Sequence, residues 1–226
     1  MALSVGVFEQ LFGLERLALL REVALAPLDL IDVVPTVGPD DDVVVLVHGF
    51  LATAGVFRPL RARLEKETGA RIATFTHPPG AGVRRIAGRL AELVDRFPMT
   101  ARVTVVGHSL GGVVARYYVQ ELGGDQRVVR TISLASPFRG VLVPQLLVGV
   151  DIHAQSDLLR RLRLKAHECG VPHTSIVGAE DIVVAGVETA CLGFGDVVVL
   201  PERGHNALLF CERAASVVIE RVKRRA

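Results

Sequence analysis

A serine with a glycine two residues to either side stands in Gly107-His108-Ser109-Leu110-Gly111-Gly112, directly after the apolar run Val103-Thr104-Val105-Val106 and before a helical stretch. A serine hydroxyl at its ordinary pKa is a poor nucleophile and needs a base beside it. The G-x-S-x-G spacing between a strand and a helix provides a sharp turn that lifts the hydroxyl clear of a sheet edge. The glycines leave room for the tight backbone. The new helix presents free N–H groups and its positive dipole end to a developing oxyanion. The bland alternative is a glycine-rich turn with an incidental serine; the strand before it and the helix after it favour Ser109 as a nucleophile.

Seven histidines are available as the base, at 48, 77, 108, 153, 167, 173 and 205. His205, in Gly204-His205-Asn206-Ala207, follows the last strand and precedes the last helix. It alone meets the chain order and strand-end position that this chemistry uses. His108 adjoins the serine and is expected to point away from it. An acid must hold the imidazole tautomer and stabilise the imidazolium. Between serine and histidine, after the run Thr174 to Val177, stand Glu180 and Asp181. Asp196 opens the next strand, the wrong end for the site. Asp181 is the preferred acid, with Glu180 the alternative. The first central strand ends in His48-Gly49-Phe50-Leu51. There the backbone N–H groups of Phe50 and Leu110 would form an oxyanion hole, each donor contributing roughly 3 kcal/mol. His48 itself reads as structural.

These residues need a frame. Val43 to Val47 are five consecutive apolar residues, mostly β-branched, which reads as a strand buried on both faces. Similar runs follow at Arg71 to Phe75, Val103 to Val106, Val128 to Leu134, Thr174 to Val177 and Val197 to Leu200. Helical segments separate most of them, at about 54–67, 82–96, 111–122, 156–165 and 206–224. Alternation of this kind predicts a mostly parallel central sheet with helices on both faces. Catalytic groups then belong just beyond the carboxyl ends of the strands.

Five pieces in this order resemble the α/β-hydrolase superfamily, and within it small bacterial triacylglycerol lipases and esterases. They are Val47-His48-Gly49-Phe50, the Ser109 motif, Ser133 to Gly140, Gly178-Ala179-Glu180-Asp181-Ile182-Val183 and Gly204-His205-Asn206. Ser156 to Leu162 also resembles the family's helix before the acid strand, and the likeness spans roughly residues 40–220. It implies an α/β-hydrolase fold with at most a small cap. The implied activity is that of a carboxylic ester hydrolase working through an acyl-enzyme. It supports Asp181, because the family's acid is usually followed by a short apolar pair, here Ile182-Val183. Leu51, Pro137, Phe138, Leu146 and Leu147 are the expected substrate-binding residues. Where the family often has Thr-Pro-His, this sequence has Ser136-Pro137-Phe138. The uncharged segment Gly140 to Val150 is either a buried connection or an acyl-chain wall. Thioesterases and acyltransferases use the same triad. A binding protein on a retired hydrolase scaffold is the alternative from another class. Larger relatives carry calcium and a disulfide, but no pair of calcium carboxylates can be placed here, so no metal and no cofactor is expected.

The chain has 226 residues, half of them hydrophobic and 22 % charged, with a formal net charge of +2. This fits one compact apolar domain and argues against disorder and nucleic-acid binding. The basic stretch Arg221 to Arg225 reads as a solvated helix end. Cys169, Cys191 and Cys211 lack CxxC spacing and read as idle thiols; one disulfide with a spare thiol is the alternative. Residues 1–38 are expected to form a helical extension packed on a catalytic domain of residues 39–226, with Pro27 ending the helix. The sharper reading gives residues 1–30 a peripheral contact with lipid surfaces. The partner expected is a small acyl ester or lipid. No charge-free stretch reaches the ~18 residues of a membrane span. Charges at Glu9, Glu15, Arg16, Arg21 and Glu22 are unlike a signal peptide. A cytoplasmic location is the expectation if residue 1 is the native start, and secretion if a signal was removed.

Overall fold

The computed structural model describes residues 5–141, 151–201 and 203–224, with side chains from residue 13 onward. Six strands form one sheet: β1 (Asp42–Val47), β2 (Arg71–Phe75), β3 (Arg102–His108), β4 (Val128–Leu134), β5 (His173–Gly178) and β6 (Asp196–Leu200). Their order is β2-β1-β3-β4-β5-β6, and every pair is parallel. Parallel neighbours need crossovers, and helices supply them. The helices are α1 (Val5–Leu25), α2 (Arg58–Thr68), α3 (Val83–Val94), α4 (Leu110–Glu121), α5 (Asp157–Leu164), the short α6 (Val187–Ala190) and α7 (Glu212–Lys223).

The alternation of side chains along β1 explains the two layers. Val43, Val45 and Val47 face Ile86 and Leu90 of α3 and Val113 and Val114 of α4. Val44 and Leu46 face Leu60 and Leu64 of α2 and Ala214 and Val218 of α7. Both sides of the strand are therefore dry, which is why it is apolar throughout. From β1 the chain first goes outward to β2, then returns to β3 and continues the other way. The carboxyl ends of β1 and β3 thus flank the switch point, where an open α/β sheet leaves a crevice.

Two elements differ from the sequence expectation. The run Val197 to Leu200 lies on the sheet's edge, so Val197 and Val199 are exposed rather than buried. The helices expected from 54 and 206 each start with a 3-10 turn, Ala54–Phe57 and Ala207–Phe210. Pro59, which has no N–H to give, sits in the first turn of α2 and restarts the helix there.

Helix α4 is fastened from beneath. Arg116 is fully buried and donates to the carbonyls of Ala166 (3.2 Å) and Val171 (3.1 Å) and to Thr131 Oγ1 (3.2 Å). Burial pushes its pKa down, and the surrounding acceptors compensate for the lost water. One side chain thereby joins the helix that follows Ser109 to the chain that enters β5. At the other edge, Val33 makes an antiparallel bridge to Thr74, which covers β2. Among the described residues no helix is long and apolar enough to cross a membrane.

Candidate active site

Strand β3 turns into α4 through one residue. Ser109 has φ 52° and ψ −121°, a conformation that an L side chain disfavours by about 1–3 kcal/mol. Its N–H donates to the Leu134 carbonyl (2.8 Å), which ties the turn to the end of β4. Two glycines make the turn possible by close approach. A Cβ on Gly107 would lie 2.2 Å from the Gly111 carbonyl carbon, and one on Gly111 would lie 2.0 Å from the Val47 carbonyl oxygen. Leu51 after β1 (φ 59°) and Ala135 after β4 (φ 50°) share the left-handed backbone, so the strain gathers at the same sheet edge.

His205 and Asp181 come from the loops after β6 and β5. The imidazole Nδ1–H donates to Asp181 Oδ2 at 2.8 Å, and both side chains are buried. The second carboxylate oxygen, Oδ1, accepts from the N–H groups of Val183 (2.9 Å) and Val184 (2.8 Å). With Nδ1 protonated, Nε2 of the neutral ring is the free acceptor. The histidine therefore meets Asp181, and the alternative acid Glu180 is not its partner.

Other histidines brace this edge. His108 donates from Nε2 to the carbonyl of His205 (3.2 Å), with the rings 5.0 Å apart. Burial, and then the His205 charge, lower the His108 pKa to about 3. His48 accepts the His77 N–H at Nε2 (3.1 Å), so its Nδ1–H donates to the Gly49 carbonyl (2.8 Å). The His77 ring stacks on it at 3.8 Å and donates to the His48 carbonyl (3.3 Å). Burial, and then the His77 charge, lower the His48 pKa to about 3. His48 is thus structural, as expected. The contribution of His77 went unread, although its place just after β2 was a usable signal.

A cavity of about 430 Å³ opens over the switch point. Ser109, His205 and Phe50 line it, together with Leu51 and Pro137, two of the expected substrate-binding residues. Leu110, expected to donate its N–H beside Phe50, is the first residue of α4 and has its side chain buried. Helix α1 adds Leu19, Glu22 and Val23 to the wall. Burial raises the Glu22 pKa, while the His205 charge opposes that shift. No sequence signal pointed to this helix as part of the site. Phe138 corrects an expectation: it is fully buried and packs edge-on against His173 at 5.4 Å, away from the cavity. The loop turns Pro137 toward the cavity and Phe138 into the core. Leu146 and Leu147 lie outside the described residues. Among the described residues no cluster of three His, Cys, Asp or Glu side chains could hold a metal.

The parallel sheet with its strained serine turn between β3 and α4 defines an α/β-hydrolase fold. Residues 39–163, more than half the chain, match the family described as "Putative serine esterase (DUF676)". The protein belongs to that family and is a serine hydrolase. The match includes Ser109 and the His48 turn and ends before Asp181 and His205. Similar solved structures include the mature lipase BlEst2 of Bacillus licheniformis, with TM-score 0.68, 13% identity, and coverage of 85% of this chain and 97% of that one. A lipase-esterase related protein of Clostridium acetobutylicum has TM-score 0.63 and 16% identity, covering 86% of this chain and 98% of its own. A pyrethroid hydrolase of Sphingobium faniae has TM-score 0.57 and 18% identity, covering 80% and 97%. At these identities the likeness is one of fold. A comparison with curated proteins found no match.

The packing of the serine turn is directly testable. Gly111→Ala forces a methyl group into the Val47 carbonyl. It should cost roughly 3 kcal/mol and lower the melting temperature by roughly 5–10 °C. A variant that melts with the parent would show that the contact has slack.

Proposed function

We propose that the protein is a carboxylic ester hydrolase of the esterase or lipase type, acting on uncharged acyl esters through an acyl-enzyme on Ser109. The observation that carries this reading is the 2.8 Å bond from His205 to the buried Asp181, in a cavity that His205 shares with Ser109. Ser109 Oγ attacks the ester carbonyl carbon and gives its proton to His205 Nε2. The N–H groups of Phe50 and Leu110 hold the oxyanion. The C–O bond to the alcohol then breaks, and the leaving oxygen takes the proton from His205. Water repeats the sequence on the acyl-enzyme, releasing the acid and freeing Ser109. Asp181 orients the ring and stabilises the imidazolium that forms.

The wall of the cavity supports an apolar acyl group. Leu51, Pro137, Val141 and Ile152 line it, and Glu22 is the one carboxylate among the described lining residues. Of the lining residues, Leu19, Val23, Leu51 and Val183 are also exposed. So many exposed apolar side chains near the cavity favour a peripheral contact of α1 with lipid surfaces.

Ser109→Ala should lower kcat/KM for ester hydrolysis by roughly 10⁴-fold or more and abolish fluorophosphonate labelling, with the melting temperature kept. Turnover within tenfold of the parent would remove Ser109 as nucleophile. Asp181→Ala should be far more damaging than Glu180→Ala; the reverse order would move the acid by one residue.

Chain length reads the substrate class. Across p-nitrophenyl esters from acetate upward, each methylene that enters the cavity should contribute up to ~0.8 kcal/mol, about fourfold in kcat/KM. The rise should stop when the cavity is full. A parent that prefers acetate from the start would leave a short-chain esterase and remove the lipid-like reading.

A further inference from the structure

The loop Gly204–Asn206 carries His205 and runs into the 3-10 turn Ala207–Phe210. The first N–H groups of such a turn have no acceptor inside it. Asn206, at its N-terminal end, makes no side-chain cap bond. The acceptors come instead from α1. Glu15 Oε1 takes the Asn206 N–H at 2.7 Å, and Oε2 takes the Ala207 N–H at 3.1 Å. Bonds from backbone N–H groups to a carboxylate are among the stronger ones in proteins.

Small residues admit this carboxylate. A Cβ on Gly204 would stand 2.4 Å from Glu15 Oε2. Ala18, one turn further along α1, is buried. At the helix's far end a Cβ on Gly55 would lie 2.2 Å from the Leu25 carbonyl oxygen. Arg21 lies over the Phe210 ring at 5.7 Å, a second contact between α1 and the same turn. His205 is then held at three points. Asp181 takes its ring, His108 takes its carbonyl, and Glu15 takes the two N–H groups that follow it.

We propose that Glu15 is a positioning residue for His205, which makes the N-terminal helix part of the catalytic unit. The inference rests on His205 being the base of Ser109. Without the carboxylate, two N–H groups lose their acceptor and the loop relaxes. A misplacement of about 1 Å at a catalytic group can cost about 100-fold in rate. The core of the sheet does not depend on this contact: among its described side chains α1 contributes Ala18 alone to the buried hydrophobic residues. The effect should therefore fall on turnover more than on folding.

The test compares the full chain with Glu15→Ala and Glu15→Gln by p-nitrophenyl ester kinetics, thermal melting and hydrogen exchange of the 203–210 segment. Glu15→Ala should lower kcat roughly 10- to 100-fold with KM within about twofold and the melting temperature near the parent's. Glu15→Gln keeps one carbonyl acceptor and should fall between the two. Exchange should speed up at Asn206 and Ala207 in the alanine variant. Parent-like kcat, or unchanged exchange at these amides, would overturn the proposal. So would equal losses of kcat and melting temperature in both variants, which would mark a purely structural contact. A parent that neither cleaves esters nor takes up a fluorophosphonate would overturn the esterase reading instead, and the exchange experiment would still decide whether Glu15 holds the loop.

Discussion

Ser109 must occupy a backbone conformation that its own Cβ resists. Much of the structure follows from keeping it there. The Leu134 carbonyl fixes its N–H, Gly107 and Gly111 let strand and helix meet at van der Waals contact, and the buried layers on both faces of β1 keep those elements from drifting apart. A site on a flexible loop could not hold such strain, because the loop would relax. Here the turn lies between two of the best-packed elements of the molecule, and relaxing it would mean unpacking them. The positive φ values at Leu51 and Ala135 show the same demand at the neighbouring strand ends.

The remaining groups come from different strands, so the sheet has to align them. β1 delivers the Phe50 turn, β3 the serine, β5 the acid and β6 the histidine. Parallel pairing brings all four carboxyl ends to one edge, at neighbouring or near-neighbouring positions in the order β2-β1-β3-β4-β5-β6. Side-chain bonds then make the finer adjustment. Asp181 is oriented by two backbone N–H groups before it orients His205. A group held by several short bonds needs little reorganisation when charge appears beside it.

Most of this was legible in the sequence because it depends on local signals. β-branched runs marked the strands, glycines marked the tight turn, and strand ends marked the site. Asp181 was preferred to Glu180 and the likeness to relatives supported it, but the sequence left both open; a one-residue choice in a loop depends on where the chain bends. Phe138 was expected at the site because its loop resembles the one the relatives place beside the nucleophile, but a likeness of loops does not fix which side chain turns inward, and this ring packs in the core beside His173. The part played by α1 was invisible for another reason. Glu15 meets Asn206 across most of the chain, and such a contact leaves no mark in residue spacing. β6 looked buried because edge and interior strands can carry the same apolar run, while only the sheet order decides which is covered.

Electrostatics sets one histidine of this sheet edge apart from the others. Burial drives the pKa values of His48 and His108 down to about 3 and that of His173 well below its usual range. At neutral pH these rings are uncharged and serve as hydrogen-bonding spacers. His205 differs because its ring, although buried, meets a carboxylate. A proton arriving on it would form an ion pair with Asp181, 2.8 Å away, in place of an isolated charge. The cost of burying the imidazolium is thereby offset at one position and left standing at the others. On the proposed esterase reading, the proton from Ser109 therefore has one favourable destination, although a second imidazole, that of His108, also lines the cavity.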